Sequence, residues 1–365
     1  MGSRQNPKIS RVSNVINLRI GEMIRIKIST SFPEWPLLRQ TPRGFGRWAD
    51  CEFLVNQDIE ECDWWVVVDD LPKTEATNCS PKNTIFINCE PPTVKSYRRD
   101  FLAQFSAVLS CQGGRLDHPK IIHSQSGLRW GVGVRIADGM HKSTMDYDEI
   151  RNLTPKKTKL ISVMTSSRDL TRGHRDRIAF VRRLKEHFGE RLDVFGFGIR
   201  AVEDKLDALA EYQYHVVIEN SCFPDYWTEK LADAYLATSY PLYAGCPNLE
   251  KYFPRESFTK IDLHNFPATV ARIEAVIAAR RFEKSEHPLA AARELVLTKY
   301  NLFGMLAEEC HMNIKGADKR PLTIRPWRLF EPKSAVLAQK VRNKILYSWK
   351  GQHLVNGFRN FLPVR

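Results

Sequence analysis

The stretch that decides the fold runs from Tyr214 to Phe253 and reads YHVVIENSCFPDYWTEKLADAYLATSYPLYAGCPNLEKYF. Its first five residues form an apolar run, which predicts a buried strand ending in a polar cluster. From Glu229 onwards, apolar side chains recur at spacings of three and four, which indicates a helix. Thr228 is the expected N-cap of this helix, and Asp225 is the alternative.

A strand, a loop and a helix N-terminus in this order can form an anion site, because the helix dipole and unpaired N–H groups attract negative charge. Lys230 lies in the first helical turn, where a cation disfavours an isolated helix. An anion bound over Lys230 would explain its position; the alternative is a solvated lysine beside a capping Glu229. Tyr240 to Gly245 predicts the next strand.

The same stretch resembles the signature of a known family. The order of residues is Glu219-Asn220-Ser221, a short spacer, the aromatic pair Tyr226-Trp227 and then Thr228-Glu229-Lys230. This order resembles the signature of glycosyltransferase family 10, the α-1,3/1,4-fucosyltransferases, and the chain resembles a bacterial-type soluble member of that family. The resemblance continues through three further segments, Pro241–Gly245, Tyr252–Pro254 and Ser257–Phe258. It covers residues 155–265 well and the first domain more weakly. It implies a GT-B fold, in which two Rossmann-like α/β domains face a cleft.

Composition sets wider limits. The chain has 365 residues, 43% of them hydrophobic, which suggests a globular protein of two domains. The sequence contains no apolar run long enough to span a membrane and no recognisable signal peptide. Its eight cysteines form no CxxC pair, so we expect reduced, buried thiols in a cytoplasmic protein. The net charge of +13 predicts anionic partners such as nucleotide phosphates, acidic lipid or nucleic acid.

Short strands alternating with helices predict an α/β fold with parallel sheets. We expect an N-terminal acceptor-binding domain at 1–153, a nucleotide-sugar domain at 154–331 and a basic amphipathic tail at 332–365. The tail either lies on an anionic membrane surface or packs back across the domains. Further helices are predicted at 94–105, 175–188, 205–212, 268–282 and 288–309.

Transfer from a nucleoside diphosphate sugar needs cations and N–H dipoles that meet the departing diphosphate. The family resemblance assigns this role to Lys230 and to Arg175, which lies at a helix start after a strand and a loop. Arg172 and Arg177 are close enough in the sequence to be alternatives.

The resemblance assigns the rest of the donor site to neighbouring residues of the signature. Tyr226 and Glu229 match family positions that hold the ribose or the fucose. Asn220 and Ser221 are expected to shape the loop through hydrogen bonds from their side chains to the backbone.

The acceptor hydroxyl must lose a proton as it attacks, so a carboxylate should stand near it. Glu90, in Glu90-Pro91-Pro92, follows a predicted strand and resembles the family motif that carries the general base. Asp69 and Asp70 end another predicted strand; they are rivals for the base and candidates for acceptor binding. Trp130 is predicted either to stack on an acceptor sugar or to lie in the core.

No cofactor and no required metal is expected. Asp146-Tyr147-Asp148 matches the DxD metal motif of other glycosyltransferases, but it lies near the interdomain link, and we interpret it as a solvated acidic loop. The resemblance therefore implies an inverting, metal-independent enzyme that moves L-fucose from GDP-fucose to a hydroxyl of an acceptor glycan, giving an α-linked product.

Two alternatives remain at this stage. One is the same chemistry with a different GDP-sugar. The other is a polyanion- or nucleic-acid-binding protein; a nucleic-acid partner is not expected, because the sequence contains no zinc pattern and no RNP motif. The expected location is cytoplasmic, with the tail placing the protein on the inner face of the membrane.

Overall fold

The fold is seen in a computed structural model, which describes residues 23–331 except 128, 138–139, 166–171, 197 and 313–317. The predicted tail, 332–365, lies outside the described residues. The described strands are β1 (Ile24–Thr30), β2 (Arg47–Trp48), β3 (Cys51–Val55), β4 (Trp64–Val68), β5 (Glu75–Cys79), β6 (Thr84–Ile87), β7 (Ala107–Ser110), β8 (Ile121–His123), β9 (Val134–Ala137), β10 (Met140–Ser143), β11 (Lys159–Met164), β12 (Leu192–Phe195), β13 (Tyr212–Ile218), β14 (Tyr240–Ala244), β15 (Thr259–Lys260) and β16 (Arg320–Ile324). The described helices are α1 (Arg99–Leu102), α2 (Tyr147–Arg151), α3 (Arg172–Phe188), α4 (Glu229–Leu236), α5 (Phe266–Ala278), α6 (Arg281–Lys284), α7 (Glu286–Leu297) and α8 (Leu302–Met312).

The first domain is built on a sheet with the strand order β2-β3-β1-β4-β6-β7-β8, parallel except for the short edge strand β2. β4 lies at its centre, and every one of its residues is buried. A strand covered on both faces has to be apolar throughout, which explains its sequence Trp-Trp-Val-Val-Val.

The second domain contains a parallel sheet with the order β12-β11-β13-β14-β15. β13 and α4 lie at the centre of its core, as the sequence pattern predicted. Six consecutive residues of α4, from Leu231 to Leu236, are buried. Such a helix is held by packing rather than by its own propensity.

The carboxyl edges of the two sheets approach each other. Thr93, in the loop after β6, and Ser221, in the loop after β13, share a hydrogen bond of 2.9 Å between their hydroxyls. Arg115 of the first domain lies 5.2 Å from the ring centroid of Phe223 in the second. The cleft therefore lies at the strand ends where ligands of parallel sheets bind. The predicted fold class, two Rossmann-like α/β domains facing a cleft, is confirmed.

The domain boundaries need correction at both ends. α8 packs into the core of the first sheet through Leu302, Phe303 and Leu306. β16 then pairs antiparallel with β5, so the chain after residue 301 rejoins the first domain. In the opposite direction, residues near 130–150 contribute to the core of the second domain. Each domain is thus completed by chain that the sequence assigned to the other.

Several local predictions also change. Of the helix predicted at 94–105, the structure contains only α1, and 205–212 forms a 3-10 turn at Lys205–Ala208 followed by the start of β13. All eight cysteines are free, but Cys222 is exposed and Cys89 is partly exposed, contrary to the prediction that all are buried. Among the described residues, no helix is both long and apolar enough to cross a membrane.

Candidate active site

The start of α4 is organised by a buried carboxylate. Thr228 is the N-cap, as predicted, and its hydroxyl accepts a hydrogen bond from the Lys230 N–H. Glu219 at the end of β13 holds this cap, accepting bonds of 2.8 Å from the Thr228 N–H and 2.6 Å from its hydroxyl. Gly245 makes room for it, since a Cβ there would overlap Cγ of Glu219. Asp225, the alternative cap, instead accepts hydrogen bonds from the next loop, including one from Tyr252.

Lys230 lies between two carboxylates at this helix start. Its Nζ is 3.4 Å from Glu229 and 3.7 Å from Glu219, whose side chain is fully buried. Burial lowers the pKa of Lys230, but Glu229 and Glu219 raise it by more, so the ammonium stays charged. For Glu229 burial raises the pKa, and Lys230 and Lys205 lower it well below its ordinary value. The site thus holds a permanent cation at a helix N-terminus, which suits an anionic ligand.

The second cation of the site is Arg177, one of the two alternatives to Arg175. Its guanidinium donates a 2.8 Å hydrogen bond to the side-chain oxygen of Asn220, and the residue is only 8% exposed. Burial lowers its pKa. Arg175 lies exposed on α3. The structure therefore brings Arg177 to the Glu219-Asn220-Ser221 loop in place of the predicted Arg175.

Two other predicted donor residues line the same loop. Tyr226 is 4% exposed, and burial followed by the charges of Glu219 and Glu90 raises the pKa of its phenol. Ser221 faces the first domain and contacts Thr93 rather than its own backbone.

Glu90 lies at the carboxyl edge of the first sheet, before Thr93, which contacts Ser221 of the second domain. It follows β6, and its backbone N–H donates 3.0 Å to the Asn88 side chain while its carbonyl accepts 2.8 Å from Gln112. Burial, and then the negative charge of Asp69, raises the pKa of the Glu90 carboxyl. Glu229 of the second domain raises this pKa and Lys230 lowers it, each by less than burial and Asp69 do. Among described residues, none donates a hydrogen bond to its carboxylate.

Asp69 and Asp70, the alternatives to Glu90 at the end of β4, both accept hydrogen bonds from other groups of the protein. Asp69 accepts a 3.1 Å hydrogen bond from the Tyr97 hydroxyl and lies 3.6 Å from the ammonium of Lys95. Asp70 accepts 2.8 Å hydrogen bonds from the backbone N–H groups of Leu71 and Trp327. Asp70 thereby fastens the returning C-terminal segment, and this structural role corrects its assignment to acceptor binding. Asp69 stays a candidate at the edge of the cleft.

Trp130 is fully buried, which corrects its assignment to an acceptor sugar. Its ring stacks on Tyr147 with centroids 6.2 Å apart, inside the core of the second domain. Its backbone carbonyl accepts a hydrogen bond from the buried guanidinium of Arg39. A ring with no exposed face cannot stack on a sugar, so the core alternative holds.

An ion pair behind Glu229 was not anticipated from the sequence. Lys205 reaches Glu229 at 3.5 Å and Asp233 at 2.9 Å. Asp233, 1% exposed, also accepts hydrogen bonds from the N–H groups of Gly131 and Val132. The only sign of this network in the local sequence was Asp233, a charged residue on the apolar face of α4. This network ties α4 to the segment that enters from the first domain.

Replacing Asp233 by alanine is expected to lower the free energy of unfolding by about 3–5 kcal/mol, because Lys205 and two N–H groups lose their buried partner. Asp233→Asn keeps an oxygen acceptor for the N–H groups and should lose less. Asp58→Ala, which removes an exposed partner of Lys73, is the control and should cost about 0–1 kcal/mol. Urea unfolding measures all three; equal losses in Asp233→Ala and Asp58→Ala would contradict a stabilising role.

A cavity of about 470 Å³ lies between α3 and the ends of β11 and β12. Its lining mixes apolar and charged side chains, among them Thr165, Val181, Asp193 and Arg200. This volume falls in the range of small-molecule pockets.

Potential metal ligands lie elsewhere. Asp146 caps α2 and Asp148 accepts a 2.7 Å hydrogen bond from the Arg43 N–H, so both acids of the DxD sequence are engaged. Within the described ranges, ligand atoms come within 4.8 Å of one another in the group Asp50, Cys51 and His311. That group lies at the start of β3, the edge of the sheet away from the cleft.

Comparison with known proteins agrees with the site. Residues 154–281 match the family model described as Glycosyltransferase family 10 (fucosyltransferase) C-term. The "Alpha-(1,3)-fucosyltransferase FucT" of Helicobacter pylori is 34% identical over 74 residues, which are 20% of this chain and 16% of that protein. The human "4-galactosyl-N-acetylglucosaminide 3-alpha-L-fucosyltransferase 9" is 36% identical over 75 residues, 20% of this chain and 21% of that protein. The matched segment thus spans about a fifth or less of these relatives.

Among solved structures, an α1,3-fucosyltransferase with GDP-fucose aligns over 80% of this chain and 94% of its own, at 15% identity and a TM-score of 0.44. The family model carries the comparison, because the segment it matches contains β13 and α4. Residues 154–281 of this chain are thus similar to the C-terminal domain of glycosyltransferase family 10, the fucosyltransferase family.

Proposed function

We propose that this protein is an inverting fucosyltransferase that moves L-fucose from GDP-fucose to a hydroxyl of an acceptor glycan. The carrying observation is the contact between two loops, the loop after β6 that follows Glu90 and the loop after β13 that Arg177 bonds to: the hydroxyls of Thr93 and Ser221 share a hydrogen bond of 2.9 Å. A carboxylate on the first domain and the cations Lys230 and Arg177 on the second match what the reaction requires, a proton acceptor on one side and charge stabilisation on the other.

In the proposed reaction, the acceptor hydroxyl attacks the anomeric carbon from the face opposite GDP. Glu90 takes the hydroxyl proton as the new carbon–oxygen bond forms. The bond between the anomeric carbon and the phosphate oxygen breaks, and GDP leaves with the electron pair. Lys230 and Arg177 meet the growing charge on the diphosphate, which is strongest in the transition state.

We assign the nucleoside to the cavity beside α3, because its volume suits a small ligand and it lies at the carboxyl ends of β11 and β12. Tyr226 and Glu229 would contact the ribose or the fucose. The membrane role of residues 332–365 and the cytoplasmic location stay predictions.

The test of the donor class is a thermal-shift panel of GDP-, UDP- and CMP-sugars. We expect GDP-fucose and GDP to raise the melting temperature, because a ligand that binds only the folded state stabilises it. Stabilisation by a different GDP-sugar alone would change the donor but keep the chemistry. Stabilisation by UDP- or CMP-sugars alone would contradict the proposal.

We further predict that a chelator leaves the transfer rate unchanged. Lys230 and Arg177 supply the charge that a divalent metal supplies in other transferases. The measurement is the initial rate in EDTA against the rate with added Mn²⁺. A rate that vanishes in EDTA and returns with Mn²⁺ would show that the metal-free mechanism is wrong.

A further inference from the structure

Arg129 lies on a platform of two aromatic rings at the cleft. Its guanidinium carbon is 3.8 Å from the ring centroid of Phe32 and 5.1 Å from that of Trp35. Both aromatics follow β1, so they stand at the carboxyl edge of the first sheet. A stacked guanidinium keeps the N–H groups at its rim available and has lost rotamer freedom before a ligand arrives.

Backbone groups of Gly127 and Trp130, close to Arg129, are held by side chains. The Gly127 N–H donates a 2.8 Å hydrogen bond to the Gln125 side chain, and the Trp130 N–H donates a 2.9 Å hydrogen bond to the Gln40 side chain. The buried guanidinium of Arg39 donates to the Trp130 carbonyl. Trp130, the residue after Arg129, is therefore anchored to the first domain.

Within the described part of the chain, the Arg129 guanidinium makes no hydrogen bond and no ion pair, although the residue is partly buried. By contrast, the buried arginines Arg177 and Arg39 both donate hydrogen bonds to oxygens of the protein. A partly desolvated guanidinium whose donors are unused gains stability only when an anionic partner binds.

Arg129 stands on the first-domain side of the site, since its two aromatic partners, Phe32 and Trp35, follow β1. Its positive charge opposes the burial that raises the pKa of Cys89, the residue before Glu90. It also contributes, after burial and the two lysines, to the pKa of Glu229 in the second domain. The cations Lys230 and Arg177 already serve the end of β13, so Arg129 is placed for a group on the acceptor side.

We propose that Arg129 binds an anionic group of the acceptor, a carboxylate or a phosphate, so that the acceptor is an acidic glycan. The proposal rests on the proposed function, because it takes the Glu90 edge as the acceptor side. The guanidinium fork matches either anion with two parallel N–H···O bonds. This anchor would set which hydroxyl of the acceptor reaches Glu90.

The test is calorimetry of GDP-saturated protein with three disaccharides: one containing glucuronate, its neutral glucose analogue and the 6-phosphorylated glucose analogue. The unaltered protein should bind an acidic disaccharide roughly 10- to 100-fold more tightly than the neutral one. Arg129→Gln should abolish this preference and leave the affinities for GDP and the neutral disaccharide unchanged. Arg183→Gln is the matched control, because Arg183 of α3 also stacks on an aromatic ring, 3.9 Å from the ring centroid of Phe266. This variant should keep the preference for the acidic disaccharide.

The acidic disaccharide that binds more tightly identifies the anion as carboxylate or phosphate. Equal binding of all three by the unaltered protein would overturn the proposal. A loss of GDP affinity in Arg129→Gln would overturn it too, because Arg129 would then serve the donor. Failure of the proposed function is distinguishable: the unaltered protein would then show no stabilisation by GDP-sugars, whereas failure of the acceptor proposal leaves that stabilisation intact.

Discussion

Glu90→Gln is expected to lower the rate of fucosyl transfer by about 10²- to 10⁴-fold, the range for loss of a general base. Glutamine keeps the size of the side chain and the backbone bonds to Asn88 and Gln112, but it cannot take a proton. The affinity for GDP-fucose should stay nearly unchanged, because the donor contacts lie in the second domain. Initial rates and calorimetry with GDP-fucose measure the two quantities.

Asp69→Asn and Asp70→Asn are the controls for this prediction. Asp69 is paired with Lys95, and Asp70 holds two backbone N–H groups, so neither has the free carboxylate that a base needs. Their losses should be smaller than that of Glu90→Gln. Near-normal turnover in Glu90→Gln, or a larger loss at Asp69 or Asp70, would show that Glu90 is not the general base.

The pH dependence gives a second measurement of the same group. A general base acts only when ionised, and burial, followed by the charge of Asp69, raises the pKa of Glu90. The rate should therefore fall on the acid side at a higher pH than for an ordinary glutamate. This acid limb should disappear from the residual rate of Glu90→Gln.

The elements predicted best from the sequence are those that depend on patterns within a short stretch of chain. β13, the N-cap Thr228 and α4 follow from an apolar run and a three-four spacing, because these patterns arise from packing against one core. The return of α8 and β16 to the first domain could not be predicted in this way. It depends on pairing with β5 and on the bond from Trp327 to Asp70, contacts between residues far apart in the chain.

The choice between Arg175 and Arg177 shows a signal that was present but unused. Arg177 lies four and seven residues before Val181 and Leu184, both buried, so it shares their face of α3. Arg175 is two positions away and falls on the opposite side of the helix, where it is exposed. Periodicity thus favoured Arg177 once the buried face of α3 was known. The Lys205–Asp233 pair had no such local pattern, because its partners come from three separate segments.

Lys230→Ala and Arg177→Ala are each expected to lose about 10²-fold or more in transfer rate, as for removal of one charge partner of a transition state. Lys230 keeps its charge beside Glu219 and Glu229, and Arg177 is oriented by Asn220, so both cations are preorganised. Lys230→Arg keeps the charge and should recover part of the rate. Thermal melting of each variant excludes unfolding as the cause.

Two further variants make this prediction specific. Lys251→Ala removes an exposed lysine that pairs with Asp225 at 3.0 Å, and its rate should stay near that of the unaltered protein. Arg175→Ala should lose less than Arg177→Ala, because Arg177 is buried and bonds to Asn220 in the loop that follows β13, whereas Arg175 is exposed on α3. A larger loss in Arg175→Ala would indicate that Arg175, the arginine first predicted from the sequence, stabilises the diphosphate. Equal losses in Lys230→Ala and Lys251→Ala would mean that the start of α4 does not meet the leaving group.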